Sequence, residues 1–261
     1  LNEARTLRVV VWYPTLETDG VEPLFKTGRV YMDATPVPDT KFPLAVFSHG
    51  TTVFADVGHP LTEHYASHGF VVVAPDHTDD TAANRDDLRQ TEMYIKRPLD
   101  ISAVLDWVYG LQSPDPLAGN ITDDVVLTGH SFGGFTAFAA AGAGFPAAVL
   151  DACAQTTESG LCSNMTDENR AAFENGFRDD RIDVLIPIAP GNAYDLGPEG
   201  VSSIQIPILH MSATGDKRAS NEVNGDPYWN SINSPDAIRV NFDTGGHHSF
   251  VITCEVFPAL G

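Results

Sequence analysis

Apolar runs of strand length recur along the chain, with helix-like segments between them. Leu7–Tyr13 is rich in β-branched residues and ends at Pro14, and Phe70–Pro75 is wholly apolar, as expected for a central parallel strand buried on both faces. The same pattern predicts further strands at Arg29–Asp33, Leu44–Ser48, Val125–Thr128, Val184–Ile188, Ile208–Met211 and Ile238–Phe242. Strands that alternate with helices are typical of an α/β fold with a mostly parallel sheet.

Helical spacing of apolar residues predicts three helices between these strands. One covers Leu61–His68 and stops at Gly69, a residue type that commonly follows a helix. A second covers Pro98–Leu111, with Pro98 in the first turn, where its missing N–H is tolerated. A third, rich in alanine, covers Phe132–Ala143.

Neither a repeat nor a low-complexity linker divides the chain, although residues 152–180 lack a clear period. The 261 residues, 43% of them hydrophobic, suffice for one sizeable core. We therefore expect a single domain over residues 1–261, with helices on both faces of the sheet. No stretch of about 18 consecutive apolar residues occurs, so no membrane span is expected.

The charge balance restricts the partners. Lys and Arg number 15 and Asp and Glu number 35, which gives a formal net charge of −20. Such a surface repels phosphate backbones and anionic lipids, so we predict no nucleic-acid partner and no polybasic membrane anchor. Strongly anionic substrates should also approach slowly. The sequence carries no indication of the oligomeric state.

The three cysteines, Cys153, Cys162 and Cys254, form no CxxC pair, which argues against a zinc ribbon or a thioredoxin-like site. Two alternatives stay open: a disulfide that closes the polar loop between Cys153 and Cys162, or three buried thiols. Leu1 is not a start methionine and no signal-peptide pattern follows it, so we expect the sequence to be a mature or trimmed form. We expect a secreted or periplasmic protein, with the cytoplasm as the alternative.

The motif with the clearest chemistry is Gly129-His130-Ser131-Phe132-Gly133, a G-x-S-x-G that follows an apolar strand and precedes a helix. A serine on such a sharp turn is lifted into a cleft, and the flanking glycines avoid a clash of Cβ atoms. The motif predicts Ser131 as a nucleophile and the Phe132 amide as one donor to an oxyanion.

A second oxyanion donor is expected from the loop after an early central strand. His49-Gly50-Thr51-Thr52 follows the strand Leu44–Ser48, and Gly50 allows close approach of the backbone. We predict the Thr51 amide as this donor, with His49 orienting the loop rather than acting as a base.

Three histidines follow the nucleophile in the chain. His210 lies inside a strand pattern, whereas His247 and His248 follow Gly245-Gly246 on a loop after the last strand. A mobile, accessible imidazole suits a general base, and of the two neighbours we favour His247.

The orienting acid should follow a late strand. Asp216, in the loop after the strand Ile208–Met211, fits best. Asp195 and Asp151 also lie after the nucleophile and stay open as alternatives.

Two aromatic residues are candidates for walls of a substrate pocket: Phe54, close to the oxyanion loop, and Trp229. His64 and His68 have a spacing that suits zinc, but Tyr65 stands where an HExxH motif has its glutamate. The acidic doublets lack the EF-hand pattern. We predict neither a metal site nor an organic cofactor.

Four segments carry a resemblance to a known group of enzymes: Phe47–Gly50, Ala66–His77, Gly129–Gly134 and Gly246–Phe250. They resemble the bacterial predicted dienelactone hydrolases of the α/β-hydrolase superfamily, a group related to platelet-activating-factor acetylhydrolases and, more distantly, to cutinase-like polyester hydrolases. The resemblance implies an α/β-hydrolase fold and carboxylester hydrolysis. It also implies Ser131 as nucleophile, His247 as base, and amide donors at Thr51 and Phe132.

Two departures qualify this resemblance. Dienelactone hydrolases use a cysteine nucleophile, whereas this chain carries Ser131, and mammalian-type acetylhydrolases place their acid after an earlier strand, which keeps Asp151 open. The sequence predicts a serine esterase for short- to medium-chain esters. The alternatives are a polyester hydrolase, or an amidase or acyltransferase with the same triad.

Overall fold

The computed structural model describes residues 5–17, 30–86 and 90–252. Within these ranges the chain forms one seven-stranded sheet, whose order is β1-β3-β2-β4-β5-β6-β7. The strands are β1 (Val9–Trp12), β2 (Phe42–Ser48), β3 (Val71–Pro75), β4 (Ile121–His130), β5 (Val184–Ile188), β6 (Ile208–Ala213) and β7 (Ala237–Phe242).

The strand β1 runs antiparallel to β3, and all other neighbouring strands are parallel. The order of the strands reverses around β2, because the chain crosses first to β3 and then returns to β4 on the other side. In sheets of this type a crevice opens at that reversal, beyond the carboxyl ends of the strands. The loops after β2 and β4 are therefore placed side by side.

Alternate side chains of the central strands pack on opposite faces of the sheet, as the two-residue period of a strand requires. In β2, Leu44 and Val46 belong to the larger core cluster, and Ala45 and Phe47 belong to a smaller one on the other face. All four are almost completely buried. The predicted α/β fold with a mostly parallel sheet is confirmed.

Seven α-helices accompany the sheet in the part of the chain that the structure describes. They are α1 (His59–Ser67), α2 (Gln90–Tyr109), α3 (Phe132–Ala140), α4 (Ala147–Ala152), α5 (Asp167–Asn175), α6 (Ala193–Ser202) and α7 (Asp226–Ser231). The helix α1 borders the smaller cluster, whereas α2 to α7 contribute to the larger one.

Two predicted elements differ from the structure by more than a few residues at their ends. The segment predicted as a strand at Arg29–Asp33 has its first residue outside the described ranges, and the rest forms no strand. Asp33 has a φ of 53°, a left-handed conformation that ends extended pairing.

The helix predicted to begin at Pro98 begins eight residues earlier, at Gln90. Pro98 therefore lies inside the helix, where it removes one main-chain hydrogen bond. Burial of Met93, Tyr94 and Ile95 stabilises the preceding turns, so tertiary packing overrides the local signal.

Residues 152–180, which lack a clear period of apolar residues, contain α5 and a disulfide between Cys153 and Cys162. Of the alternatives for the cysteines, the structure favours the closed loop. Cys254 lies outside the described residues.

Candidate active site

Ser131 occupies the turn between β4 and α3 with a φ of 58° and a ψ of −120°. A positive φ is uncommon for a residue with a side chain and is held here by surrounding hydrogen bonds. The Ser131 N–H donates to the Ile188 carbonyl at 2.9 Å, and the Ser131 carbonyl accepts from the Gly134 and Phe135 amides. Phe132 is the first residue of α3, so its N–H has no partner within that helix.

The glycines of this turn permit a very close approach of main chains. A Cβ on Gly133 would overlap the Ser48 carbonyl, and one on Gly129 would overlap the Gly133 carbonyl. The turn therefore packs directly against the end of β2. A Cβ built on Gly50 would lie 3.4 Å from the Cβ of Ser131, so Gly50 is a neighbour of the nucleophile.

Asp216 and His247 form a buried pair. The Nδ1 of His247 lies 2.7 Å from Oδ2 of Asp216, and both side chains are less than 10% exposed. Burial by itself would raise the pKa of Asp216, but hydrogen bonds from His247 and from the Ala219 and Arg218 amides hold this pKa below its usual value. The carboxylate is thus ionised at neutral pH and accepts a hydrogen bond from Nδ1 of the imidazole, which leaves Nε2 as the ring nitrogen that does not contact Asp216.

The other acids lie elsewhere. Asp151 is on the surface, where its carboxylate pairs with Arg170 at 2.8 Å. Asp195 is buried in the first turn of α6, near the Tyr94 hydroxyl. Neither contacts His247 through a hydrogen bond or ion pair among the described residues.

The remaining late histidines have other surroundings. His210 is fully buried on β6 next to Tyr228 and Trp229, and burial lowers its pKa to about 3. The ring nitrogens of His248 are buried without a hydrogen-bond partner among the residues that the structure describes. Of the three, His247 alone pairs with a carboxylate in the described ranges.

His130, which precedes Ser131, stabilises the loop that carries His247. Its Nε2 lies 2.8 Å from the His247 carbonyl, and burial lowers the pKa of His130 to about 3. The ring is therefore neutral at physiological pH and donates this hydrogen bond. In the G-x-S-x-G motif this position is variable, so the sequence carries no signal for the contact that His130 makes.

The loop after β2 lies against the nucleophile turn. The Thr52 N–H donates to Asp80, at 3.2 Å to Oδ1, and Nδ1 of His49 lies 2.6 Å from the Gly50 carbonyl. Among the described residues no acceptor takes a hydrogen bond from the Thr51 N–H. The contact between His49 and the Gly50 carbonyl fits the expectation that His49 orients this loop.

A cleft of about 460 Å³ joins these groups. Its walls include Thr51, Ser131, Phe132, His247 and His248, together with Gly50, Thr52, Val53, Arg85, His130, Gly191, Asn192, Tyr194, Arg218, Ala219, Val223 and Asn224. No direct hydrogen bond joins the Ser131 hydroxyl to His247 in the described structure. Such contacts are often long in a free enzyme and tighten when substrate binds.

Phe54 and Trp229, predicted to contact substrate, do not line this cleft. Trp229 packs near His210, with ring centroids 6.5 Å apart. The apolar walls come instead from Val53, Tyr194 and Val223, which lie on three different loops or helices. In the sequence these three residues share one feature: each lies in a segment that follows a strand.

The fold and the arrangement around Ser131 define an α/β-hydrolase. The protein-family model for chlorophyllases matches residues 16–153, which is more than half of the chain. The chain therefore belongs to the chlorophyllase family. The matched part includes Gly50, Thr51 and Ser131 and ends before Asp216 and His247.

Two curated proteins are similar to part of the chain. A platelet-activating factor acetylhydrolase of Cavia porcellus is 26% identical over 135 residues, which cover 37% of this chain and 31% of the relative. Chlorophyllase-2 of Arabidopsis thaliana is 30% identical over 112 residues, covering 41% and 32%. The matches thus span about a third of the length of each relative. The predicted similarity to platelet-activating-factor acetylhydrolases is confirmed, whereas the chlorophyllase family was not foreseen.

Proposed function

We propose that this protein is a serine carboxylic ester hydrolase in which Ser131 attacks the ester carbonyl. The observation that carries the proposal is the pairing of Asp216 with His247 at 2.7 Å in the cleft that Ser131 also lines. The names of the two relatives, an acetylhydrolase and a chlorophyllase, support ester hydrolysis.

The reaction would proceed through an acyl-enzyme. His247 takes the proton of the Ser131 hydroxyl as its oxygen bonds to the carbonyl carbon. The Thr51 and Phe132 amides donate to the oxyanion, and His247 then protonates the departing alcohol. Water, activated by His247, cleaves the acyl-enzyme and frees Ser131.

The cleft supports short- to medium-chain esters as the substrate class. A volume of about 460 Å³ lies in the range typical of small-molecule sites. Val53, Val223 and Tyr194 offer apolar surface to an acyl or alcohol group.

The Cys153–Cys162 disulfide supports an oxidising compartment, hence a secreted or periplasmic enzyme. No helix in the described residues is long and apolar enough to cross a bilayer.

The test is Ser131→Ala, assayed with 4-nitrophenyl acetate and butyrate. Loss of the nucleophile should lower kcat by at least about a thousandfold, as for other serine hydrolases. A fluorophosphonate probe should label the wild-type protein at Ser131, as located by mass spectrometry.

The matched control is Ser67→Ala, which removes an exposed hydroxyl at the end of α1. This variant should keep wild-type turnover and labelling. Retention of ester hydrolysis by Ser131→Ala would refute the proposal, and a faster turnover of matched amides than of esters would favour an amidase.

A further inference from the structure

We infer that a buried chain of hydrogen bonds through Ser48, His77 and Asp100 positions the proposed oxyanion loop, an inference that rests on the proposed function. The order is that of a catalytic triad: Ser48 Oγ lies 2.9 Å from His77 Nε2, and His77 Nδ1 lies 2.9 Å from Asp100 Oδ2. Ser48 and His77 are 0% exposed and Asp100 is 5% exposed. No substrate carbonyl can reach this serine, so the chain is not a second catalytic centre.

The donors and acceptors of these hydrogen bonds follow from Arg97 and from the ion pair of Asp100 with Arg5, whose closest N and O atoms are 2.7 Å apart. A guanidinium has only donors, and Nη2 of Arg97 lies 3.3 Å from Ser48 Oγ. The Ser48 hydroxyl therefore accepts from Arg97. Asp100, whose pKa burial raises to about 7, can only accept once it is ionised, so the neutral His77 ring then takes the Ser48 hydrogen at Nε2. The His77 ring then carries its proton on Nδ1 and donates to Asp100. Burial lowers the pKa of His77 well below its usual value, which keeps the ring neutral.

The chain reaches the oxyanion loop through the main chain of His77. Its N–H donates to Nε2 of His49 at 2.9 Å, so His49 carries its proton on Nδ1 and donates to the Gly50 carbonyl. In a planar trans peptide the C=O and the following N–H point in opposite directions. Holding the Gly50 carbonyl against His49 therefore turns the Thr51 N–H away from His49, on a residue that lines the cleft.

Arg97 fixes the same loop at two further points. It is fully buried and donates to the His49 carbonyl and to Asp80. Asp80 in turn accepts from the Thr52 N–H. The guanidinium also lies 4.7 Å from the centre of the Phe132 ring. One cation thus contacts both segments that supply the proposed amide donors.

The decisive variant is Ser48→Ala, which removes one buried hydroxyl from the chain. The matched control is Thr128→Val, because Thr128 is as buried as Ser48 and pairs with Phe47, the residue before Ser48, across the neighbouring strand. Its hydroxyl donates to the Ile186 carbonyl and takes no part in the hydrogen bonds of Ser48, His77 and Asp100. Both variants should lose some thermal stability, measured as Tm.

Only Ser48→Ala should lose catalysis. Misplacing one oxyanion donor should lower kcat about 10- to 100-fold, somewhat less than removing it, while KM changes less than about twofold, since ground-state binding does not use that donor. The affinity for a trifluoromethyl ketone, which forms a tetrahedral oxyanion on Ser131, should fall by the same factor as kcat/KM. Asp100→Asn should shift both quantities in the same direction.

Either of two kinetic results would overturn the inference: wild-type kcat in a folded Ser48→Ala, or an equal loss of kcat in Thr128→Val. Probe labelling of Ser48 would also contradict it. If Ser131→Ala keeps activity, the proposed function fails. If Ser131→Ala is inactive and Ser48→Ala is fully active, the inference fails alone.

Discussion

Asp195 illustrates how a single buried side chain can work against the stability of the fold. Burial raises the pKa of this carboxyl to about 7, and the Tyr94 hydroxyl offsets part of the rise. The pKa of an aspartate in an unfolded chain is about 4. Between these values the folded state binds more protons, so the free energy of unfolding falls as the pH rises, by about 1.4 kcal/mol for each pH unit.

We expect Asp195→Asn to remove this loss, because an amide does not ionise. The free energy of unfolding of the variant, relative to wild type, should increase from pH 4.5 to pH 8. Urea unfolding at pH 4.5, 6 and 8 measures it. Asp243→Asn, which changes an exposed carboxylate, serves as the control and should show no such trend. A trend of equal size in both variants would contradict the assignment to Asp195.

At the scale of elements, the disulfide loop links the least regular part of the chain to the helix that borders the site. Cys153 and Cys162 are joined across a sequence separation of nine residues. The Gly160 carbonyl of this loop lies 3.3 Å from the Thr91 hydroxyl in the first turn of α2. One turn further along, Tyr94 packs edge-on against Phe132, with ring centroids 4.7 Å apart.

Loss of this disulfide should destabilise the protein without removing the catalytic groups. Closing a loop of this length contributes about 3 kcal/mol through the entropy of the unfolded chain. We therefore expect the double variant Cys153→Ser, Cys162→Ser to unfold at a lower urea concentration. Dithiothreitol should produce the same shift in wild type and no further shift in the variant. A stability that neither treatment changes would show that the loop is held by other contacts.

At the scale of the whole molecule, the charge of the cleft differs from that of the chain. The net charge is −20, yet among the described residues that line the cleft none is acidic, and two are arginines, Arg85 and Arg218. The general field slows the approach of anions, whereas a nearby guanidinium attracts them once they arrive. The charge of the cleft should therefore decide how kcat/KM for an ester that carries a carboxylate compares with kcat/KM for a neutral ester.

The comparison uses a mono-4-nitrophenyl ester of succinic acid and 4-nitrophenyl butyrate, which are similar in length. Arg218→Gln should lower the ratio of kcat/KM for the anionic ester to that for the neutral ester by about threefold to tenfold, the size expected for one exposed charge. Lys217→Gln removes the same charge from the adjacent exposed residue, which does not line the cleft, and should leave the ratio unchanged. Equal effects of the two substitutions would assign the preference to the overall field.

The sequence by itself determined the features that depend on local chemistry. The apolar runs indicated the parallel sheet, because strands buried on both faces need apolar residues throughout. The glycines around Ser131 indicated the strained turn, because a side chain at these positions would clash with neighbouring main chain. At Gly133, for example, a Cβ would overlap the Ser48 carbonyl. These signals lie within a few residues of one another in the chain.

The tertiary structure alone decided the features that join distant segments. Asp151, Asp195 and Asp216 have similar local contexts, and only the fold brings one of them to His247. The cleft walls come from the loops after several strands, so proximity in sequence wrongly favoured Phe54. The buried chain through Ser48, His77 and Asp100 spans three elements, and its role depends on burial and on distances, which no spacing along the sequence encodes.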